Sequence, residues 1–258
     1  MKIEHIEKVE RKLGTASTVK ADDISPIYIE RIGKFLRDNQ GEMGDPWVEN
    51  TAEKLYIFER SEKDGDLVRS NIDAGIALAT FLPEFPLIAG QQLLSLYKQA
   101  GNKNPFGDVY IDFGIQINGK PETNPVQMKA ILDELSSRGI KEKEGIINFS
   151  KLRLKTHELG LKYVLSEDFN VEDVEPVSIY PFNKNYIGKN GLFRACLYGG
   201  SDWDAYDDGL SDSDDVGRVV RYDTEGVVPK KLSQIKNKVD LVQKLNDNFS
   251  ERFLEKSL

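Results

Sequence analysis

Cysteine is nearly absent from this 258-residue chain: Cys196 is the only one. One thiol excludes an intrachain disulfide and a cysteine-based metal cluster. Histidine is almost as scarce, with His5 and His157 far apart. No run approaches the ~18 apolar residues that cross a bilayer, so no membrane insertion is expected. The opening residues MKIEHIEKVERKLG lack the apolar stretch of a secretory signal, which leaves a cytoplasmic location as the default. Basic excess is lacking too. A net charge of −8 and a pI near 5.1 argue against a nucleic-acid partner, because displacing phosphate counterions needs a basic face. The glycine-rich loop and regular βαβ alternation of a nucleotide-binding fold are also missing, and nothing in the chain calls for a cofactor.

What is present fits a globular chain with a real core, 39% hydrophobic and 30% charged. Helical spacing runs through 2–13, where Ile3, Ile6, Val9 and Leu13 share a face, and through 26–38, with Ile27, Ile32 and Leu36. A turn is expected at 41–46, strands at 53–60 and 67–69, a buried apolar element at 72–82, and a helix at 91–98. Val109, Ile111, Phe113, Ile115 and Ile117 alternate with more polar residues, which predicts a half-buried strand ended by Asn118-Gly119. A helix follows, with Thr123 or Asn124 as cap, Pro125 at its first position and Gly139 at its stop. Val126, Ala130, Ile131 and Leu135 form its apolar face. IINFSKLRL, LKYVLSED, LFRACLY and GRVVRYD read as strands. From Pro229 onward Leu232, Ile235, Val239, Val242, Leu245, Phe249 and Phe253 mark an amphipathic helix of about six turns.

The most unusual stretch is YGGSDWDAYDDGLSDSDDVGR, residues 198–218, with seven aspartates. An EF-hand-like spacing places Asp204, Asp208, Asp212 and Asp215 as candidate calcium ligands. Tyr206 then stands where an oxygen ligand belongs, Asp215 replaces the longer glutamate, and the flanks read as strands rather than helices. A disordered linker fits poorly with Trp203, Tyr206 and Leu210 among the charges. A solvated hairpin loop without a role is the simplest alternative. Against it, crowded carboxylates repel one another by up to ~1 kcal/mol per exposed pair.

The frame Leu197-Tyr198-Gly199-Gly200-Ser201-x-Trp203, closed by Gly217-Arg218-Val219-Val220, resembles the C-terminal core of the formylglycine-generating-enzyme branch of the C-type lectin fold. Asp202 is inserted relative to that pattern, and one residue is missing between Gly217 and Arg218. Within the branch the chain is most similar to variable proteins of diversity-generating retroelements, of the archaeal and archaeal-virus type. In these, adenine-directed copying rewrites chosen codons. Codons of the AAC type reach Asn, Asp, Tyr, Ser, Val, Ala and Gly, and do not reach Glu, Lys, Gln, Met or Trp. Between Asp202 and Val216 the polar residues are all Asp, Ser or Tyr, although Glu and Lys abound elsewhere.

The resemblance implies an α+β, C-type lectin-like fold, to which the helical spacings add N-terminal helices and a C-terminal amphipathic helix, the latter a departure from variable proteins that end just after the frame. Its divisions would be a helical segment at 1–45, the lectin-like domain at 46–228 (or from near 105) with a variable region at about 192–222, and the helix at 229–258. It implies a non-catalytic display of Asp202, Asp204, Tyr206, Asp207, Asp208, Ser211, Asp212, Asp214, Asp215 and Val216 toward a protein or surface ligand, with the aspartates selecting a basic patch. Gly199, Gly200, Trp203, Gly209, Gly217 and Arg218 would be the constant frame, and Leu192, Phe193, Ala195, Leu197, Val219 and Val220 its buried strand faces. The formylglycine-making enzymes use two cysteines, so Cys196 alone reads as a buried structural thiol. His157, with no companion at a catalytic spacing, reads as structural, Asp133 and Glu134 as a solvated helix face, and Asp108 and Asp112 as a pair with no mark of acid–base work.

Overall fold

The computed structural model describes residues 15–39, 58–122, 125–141, 144–157, 160–182, 190–200, 202–205, 210 and 215–223. The predicted helices at 2–13 and from 229 onward, the turn at 41–46, the caps Thr123 and Asn124, and most of the strand at 53–60 lie outside them.

Helix and sheet are mixed. In chain order the elements are β1 (Thr15–Thr18), α1 (Pro26–Asp38), β2 (Glu59–Arg60), β3 (Leu67–Val68), α2 (Ile72–Phe81), α3 (Gly90–Gln99), β4 (Tyr110–Asn118), α4 (Pro125–Ser137), β5 (Glu144–Asn148), β6 (Leu152–His157), β7 (Gly160–Leu165), β8 (Val174–Glu175), β9 (Gly191–Leu197), β10 (Trp203–Asp204), β11 (Gly217–Arg218) and β12 (Val220–Asp223). The main sheet runs β10-β9-β4-β11-β3-β2, with β5 beside the second half of β4 and β8 beyond β5. Strands β6 and β7 form a separate hairpin, and β1 pairs antiparallel with β12. The segment expected to be helical at 1–45 therefore also contributes a strand, which ties residues 15–18 to residues 220–223.

Most predicted elements are in place because their local signals agree with their packing. Helix α2 is buried nearly all round, its first turn capped by Asn71 Oδ1 accepting from Ala74 N–H at 2.7 Å. Its Thr80 hydroxyl donates to the Ile76 carbonyl and accepts from Leu154 N–H, so a polar group inside the core stays satisfied. Helix α4 begins at Pro125 and ends before Gly139, whose φ of +76° suits glycine. Helix α1 departs in one detail: Ile27 is 48% exposed, and Tyr28, Ile32, Phe35 and Leu36 are the buried stripe. Ile27 lies one position ahead of Tyr28, too far round the helix to share a face with Ile32 and Leu36.

Strand β4 is the structural axis, and it corrects the half-buried reading. Residues 110–117 are all buried. The expected single apolar face is also split: Ile111 and Phe113 belong to one core, Ile115 and Ile117 to another. A bulge between Asp112 and Gly114 is the cause, since one extra residue turns every later side chain to the opposite face. Gly114 at this point approaches the neighbouring strand closely; a Cβ there would lie 2.9 Å from Asn148 Cα and closer still to the Ile147 carbonyl oxygen. The two cores thus sit on opposite sides of one sheet. The first packs around α1, α2, α4 and the β6–β7 hairpin; the second is an aromatic cluster of Tyr97, Phe113, Tyr180, Phe182 and Trp203.

Candidate functional site

The acidic stretch enters from β9 and leaves through β11. Two strand-like flanks around a turn-rich loop suggest that the flanks pair with each other, and the structure shows otherwise. Strand β9 pairs with β4 and β10, while β11 lies on the opposite edge of β4, parallel to it. Both flanks and the β4 segment between them are buried, so the two flanks are joined to the sheet through β4. The described flanks of the stretch therefore take opposite edges of β4 and do not pair with each other.

Its entry is held tightly. Tyr198 N–H donates to the Asp202 carbonyl at 2.8 Å, closing the turn that carries Gly199 and Gly200. A Cβ on Gly199 would lie 2.9 Å from Asp108 Cα, so this glycine permits a backbone approach. Gly200 is different: a Cβ there meets only Asp202 Oδ2 at 3.9 Å, and nothing in the packing requires glycine. Trp203 is 2% exposed, as a frame anchor should be. Its ring lies 5.3 Å from Tyr180, 5.5 Å from Tyr97, 5.7 Å from Phe113 and 6.4 Å from Phe182, in edge and tilted contacts. On either side of it Asp202 is exposed and Asp204 half-buried, and Ala205 is buried next in line.

Leu210 is a second anchor, and the sequence reading passed over it. It is 2% exposed in the first core, and its carbonyl accepts from Ile72 N–H at the start of α2, at 2.9 Å. The available signal was an isolated aliphatic residue in a run of carboxylates. At the exit Asp215 is exposed and Val216 is 41% exposed, while Gly217 and Arg218 are buried. A Cβ on Gly217 would lie 2.7 Å from Tyr110 Cε2, and closer still to the ring carbon bearing the hydroxyl and to the hydroxyl itself. Arg218 donates to the Asp215 carbonyl at 2.6 Å and faces Asp66 at 3.5 Å and Asp64 at 3.6 Å. Asp66 also takes the ammonium of Lys20. Hydrogen bonds from the Ser61 side chain and Asp66 N–H, with Arg218 and Lys20 nearby, hold the Asp64 carboxyl below its usual range. Of the remaining site residues, Tyr206, Asp207, Asp208, Gly209, Ser211, Asp212 and Asp214 lie outside the described residues, as does Ser201.

Of the calcium set only Asp204 and Asp215 are described, and the stretch is flanked by strands. Among the described residues no group of three or more His, Cys, Asp or Glu side chains is arranged to hold a metal ion. No described helix is long and apolar enough to cross a membrane.

Between β9 and β4 lies an ion pair that no sequence motif marks. Arg194 on β9 bonds Asp112 on β4 through Nε at 2.5 Å and Nη2 at 3.1 Å, with both side chains almost wholly buried. Ser70 donates to the same carboxylate at 2.8 Å, Tyr110 donates to the Ser70 carbonyl at 2.9 Å, and the guanidinium lies 4.2 Å over the Tyr110 ring. Burial opposes the charge on Arg194, but the Asp112 carboxylate outweighs it by charge and hydrogen bonding and raises the guanidinium pKa further. Asp112 is thus a structural counter-ion, and Asp108 stands apart from it on the exposed surface. Glu134 is not a solvated face residue either: it accepts from Leu165 N–H at 2.9 Å and from Arg138 at 2.8 Å, fastening α4 to β7. Asp133 is exposed and pairs with Lys129. Cys196 is buried on β9, and the His157 backbone ends β6 opposite Gly160.

The chain matches no family model, no curated protein and no solved structure.

Proposed function

We propose that this chain is a non-catalytic binding protein that displays a diversified surface on a C-type lectin-like scaffold, its variable residues rewritten by the adenine-directed copying of a diversity-generating retroelement. The observation that carries the reading is the division of roles around the acidic stretch. Trp203, Ala205, Leu210, Gly217 and Arg218 are buried and fixed by close contacts, whereas Asp202, Asp215 and Val216 between or beside them face solvent. A frame of that kind tolerates rewriting of its outward residues, because their side chains contribute little to the folded state. The anchors at 205, 210 and 217–218 lower the ordering cost a ligand would otherwise meet. The ligand in this reading is a protein or surface group with a basic patch, met by the aspartates at 202–215.

The test is in the DNA around the coding sequence. A near-identical repeat of the codons for about 192–222, differing only at adenines and lying near a reverse-transcriptase gene, is the expected finding. Its absence from a complete genome carrying this gene defeats the reading. Isothermal titration with calcium separates the competing use of the aspartates. Display predicts weak heat and an unmoved melting temperature, and a calcium loop predicts a saturable site with a clear thermal shift.

A further inference from the structure

A buried carboxyl group is bonded to Tyr180, one of the rings packed on Trp203. Glu175, on β8, is 8% exposed. Asn148 donates to its Oε1 at 2.7 Å, and the Tyr180 hydroxyl donates to its Oε2. Asn148 is itself fixed, because its side-chain oxygen accepts from Gly90 N–H, the first residue of α3, at 2.6 Å. The charged and titratable neighbours are few. Asp173, two residues earlier, is acidic and ion-paired to Lys151 at 3.4 Å. Strand β5 brings Asn148, and α3 brings the Gly90 N–H and the buried Tyr97. Among the described residues no lysine or arginine reaches the Glu175 carboxyl. Burial, with Asp173 adding to it, pushes its pKa up against the opposing Asn148 hydrogen bond.

The surroundings direct any movement of this group one way. Tyr180 cannot yield toward α3, since a Cβ on Gly90 would meet its hydroxyl and lie 2.7 Å from the Phe113 ring. On its other side the Tyr180 ring is tilted against Trp203 at 5.3 Å and Phe182 at 5.5 Å, and Phe182 forms a parallel bridge with Trp203. Trp203 is held by ring contacts alone on its side-chain end, since among the described residues its buried Nε1 has no hydrogen-bond acceptor, so its seating follows that of Tyr180 and Phe182. The segment 174–182 is attached to the sheet by two register pairs on β5 and that one bridge. We propose that Glu175 is a proton-operated latch: protonated, it seats residues 174–182 against Trp203; ionised, it loosens them and shifts the indole that anchors the acidic stretch. The protonated carboxyl donates its hydrogen to the Tyr180 oxygen, whose own hydrogen turns away, and Oε1 keeps the Asn148 bond. The ionised carboxylate keeps only two neutral donors, Asn148 and Tyr180, and no cation among the described residues, in a buried aromatic setting near a second carboxylate. The latch itself depends only on the seating of Trp203; its effect on ligand capture rests on the display reading.

The test uses the full chain with Trp47→Phe, so that Trp203 is the sole indole. Trp203 emission is followed from pH 4 to 8, beside the same chain carrying Glu175→Gln. One transition is expected in the Glu175 chain, with a midpoint above the ordinary carboxyl range of about 4 and a red shift on the alkaline side. It is expected to be absent from Glu175→Gln. A flat profile in the Glu175 chain, or the same transition in both, overturns the latch. Should Glu175→Gln not fold, Tyr180→Phe decides: the hydroxyl is bonded to the carboxyl in both protonation states, so its loss shifts the midpoint, and an unmoved midpoint overturns the proposal. The repeat-and-reverse-transcriptase search reads neither outcome, so the two proposals fail separately.

Discussion

Gly217→Ala is the sharpest perturbation of the frame. The added methyl would stand 2.7 Å from Tyr110 Cε2 and nearer still to two more atoms of that ring. The ring has little freedom to retreat. Tyr110 is 1% exposed, its hydroxyl is bonded to the Ser70 carbonyl at 2.9 Å, and the Arg194 guanidinium lies 4.2 Å from its centroid. Either β11 shifts away from β4, losing its two register pairs, or Tyr110 gives up its hydrogen bond. Overpacking of this kind costs about 1–3 kcal/mol, and a lost buried hydrogen bond about 1 kcal/mol more. For a chain of this size each kcal/mol lowers Tm by roughly 2–4 °C, so a fall of about 5–15 °C is expected. The assay is thermal unfolding followed by far-UV circular dichroism, with Gly200→Ala as the internal control. That position has an open environment and should lose at most a degree or two. If Gly217→Ala melts with the wild type, or if both glycines cost the same, the claim that close packing fixes the exit of the acidic stretch is wrong.

Further outcomes follow from the same geometry. Arg194→Met leaves Asp112 buried without its counter-ion and should cost about 3–5 kcal/mol in urea unfolding, whereas the double variant Arg194→Met/Asp112→Leu recovers part of that loss. Asp202→Asn and Asp215→Asn should each change stability by no more than about 0.5 kcal/mol, because both are exposed; a larger loss in either would mean that the side chain is part of the frame. The Asp168 carboxyl, lowered to about 2 chiefly by its hydrogen bond from Lys151, should return toward about 3.9 in Lys151→Met, as read by carboxyl-carbon NMR. Since that pKa is depressed, the stabilisation is present above the ordinary aspartate value and is lost as pH falls toward about 2. The opposite sign holds for Glu175. Its raised pKa makes the contribution greatest below the ordinary carboxyl range and removes it as pH rises through the shifted value, so wild type minus Glu175→Gln stability should decline from pH 4 upward.

What the amino-acid order determined by itself is local. Pro125 and Gly139 bound α4 because one ring and one missing side chain set the backbone there, and the apolar block at 72–82 had to be buried whichever element it formed. The glycines, the lone tryptophan and the run of aspartates marked the stretch at 198–218 as a frame around a polar surface, and Trp203 is buried as that pattern required. Pairing was decided only in three dimensions. Two apolar flanks around a loop look like a hairpin, yet each pairs with an edge of β4, a strand distant in sequence that no local signal names as their partner. The bulge at Asp112–Gly114 splits one apolar stripe between two cores, and no periodicity announces a single extra residue. Arg194 with Asp112, Leu210 with Ile72, and Glu175 with Tyr180 and Asn148 likewise became legible only once distant segments met. A charged or lone apolar residue carries no sign in the sequence of what it will be buried against; burial is a property of its neighbours, and the fold chooses them.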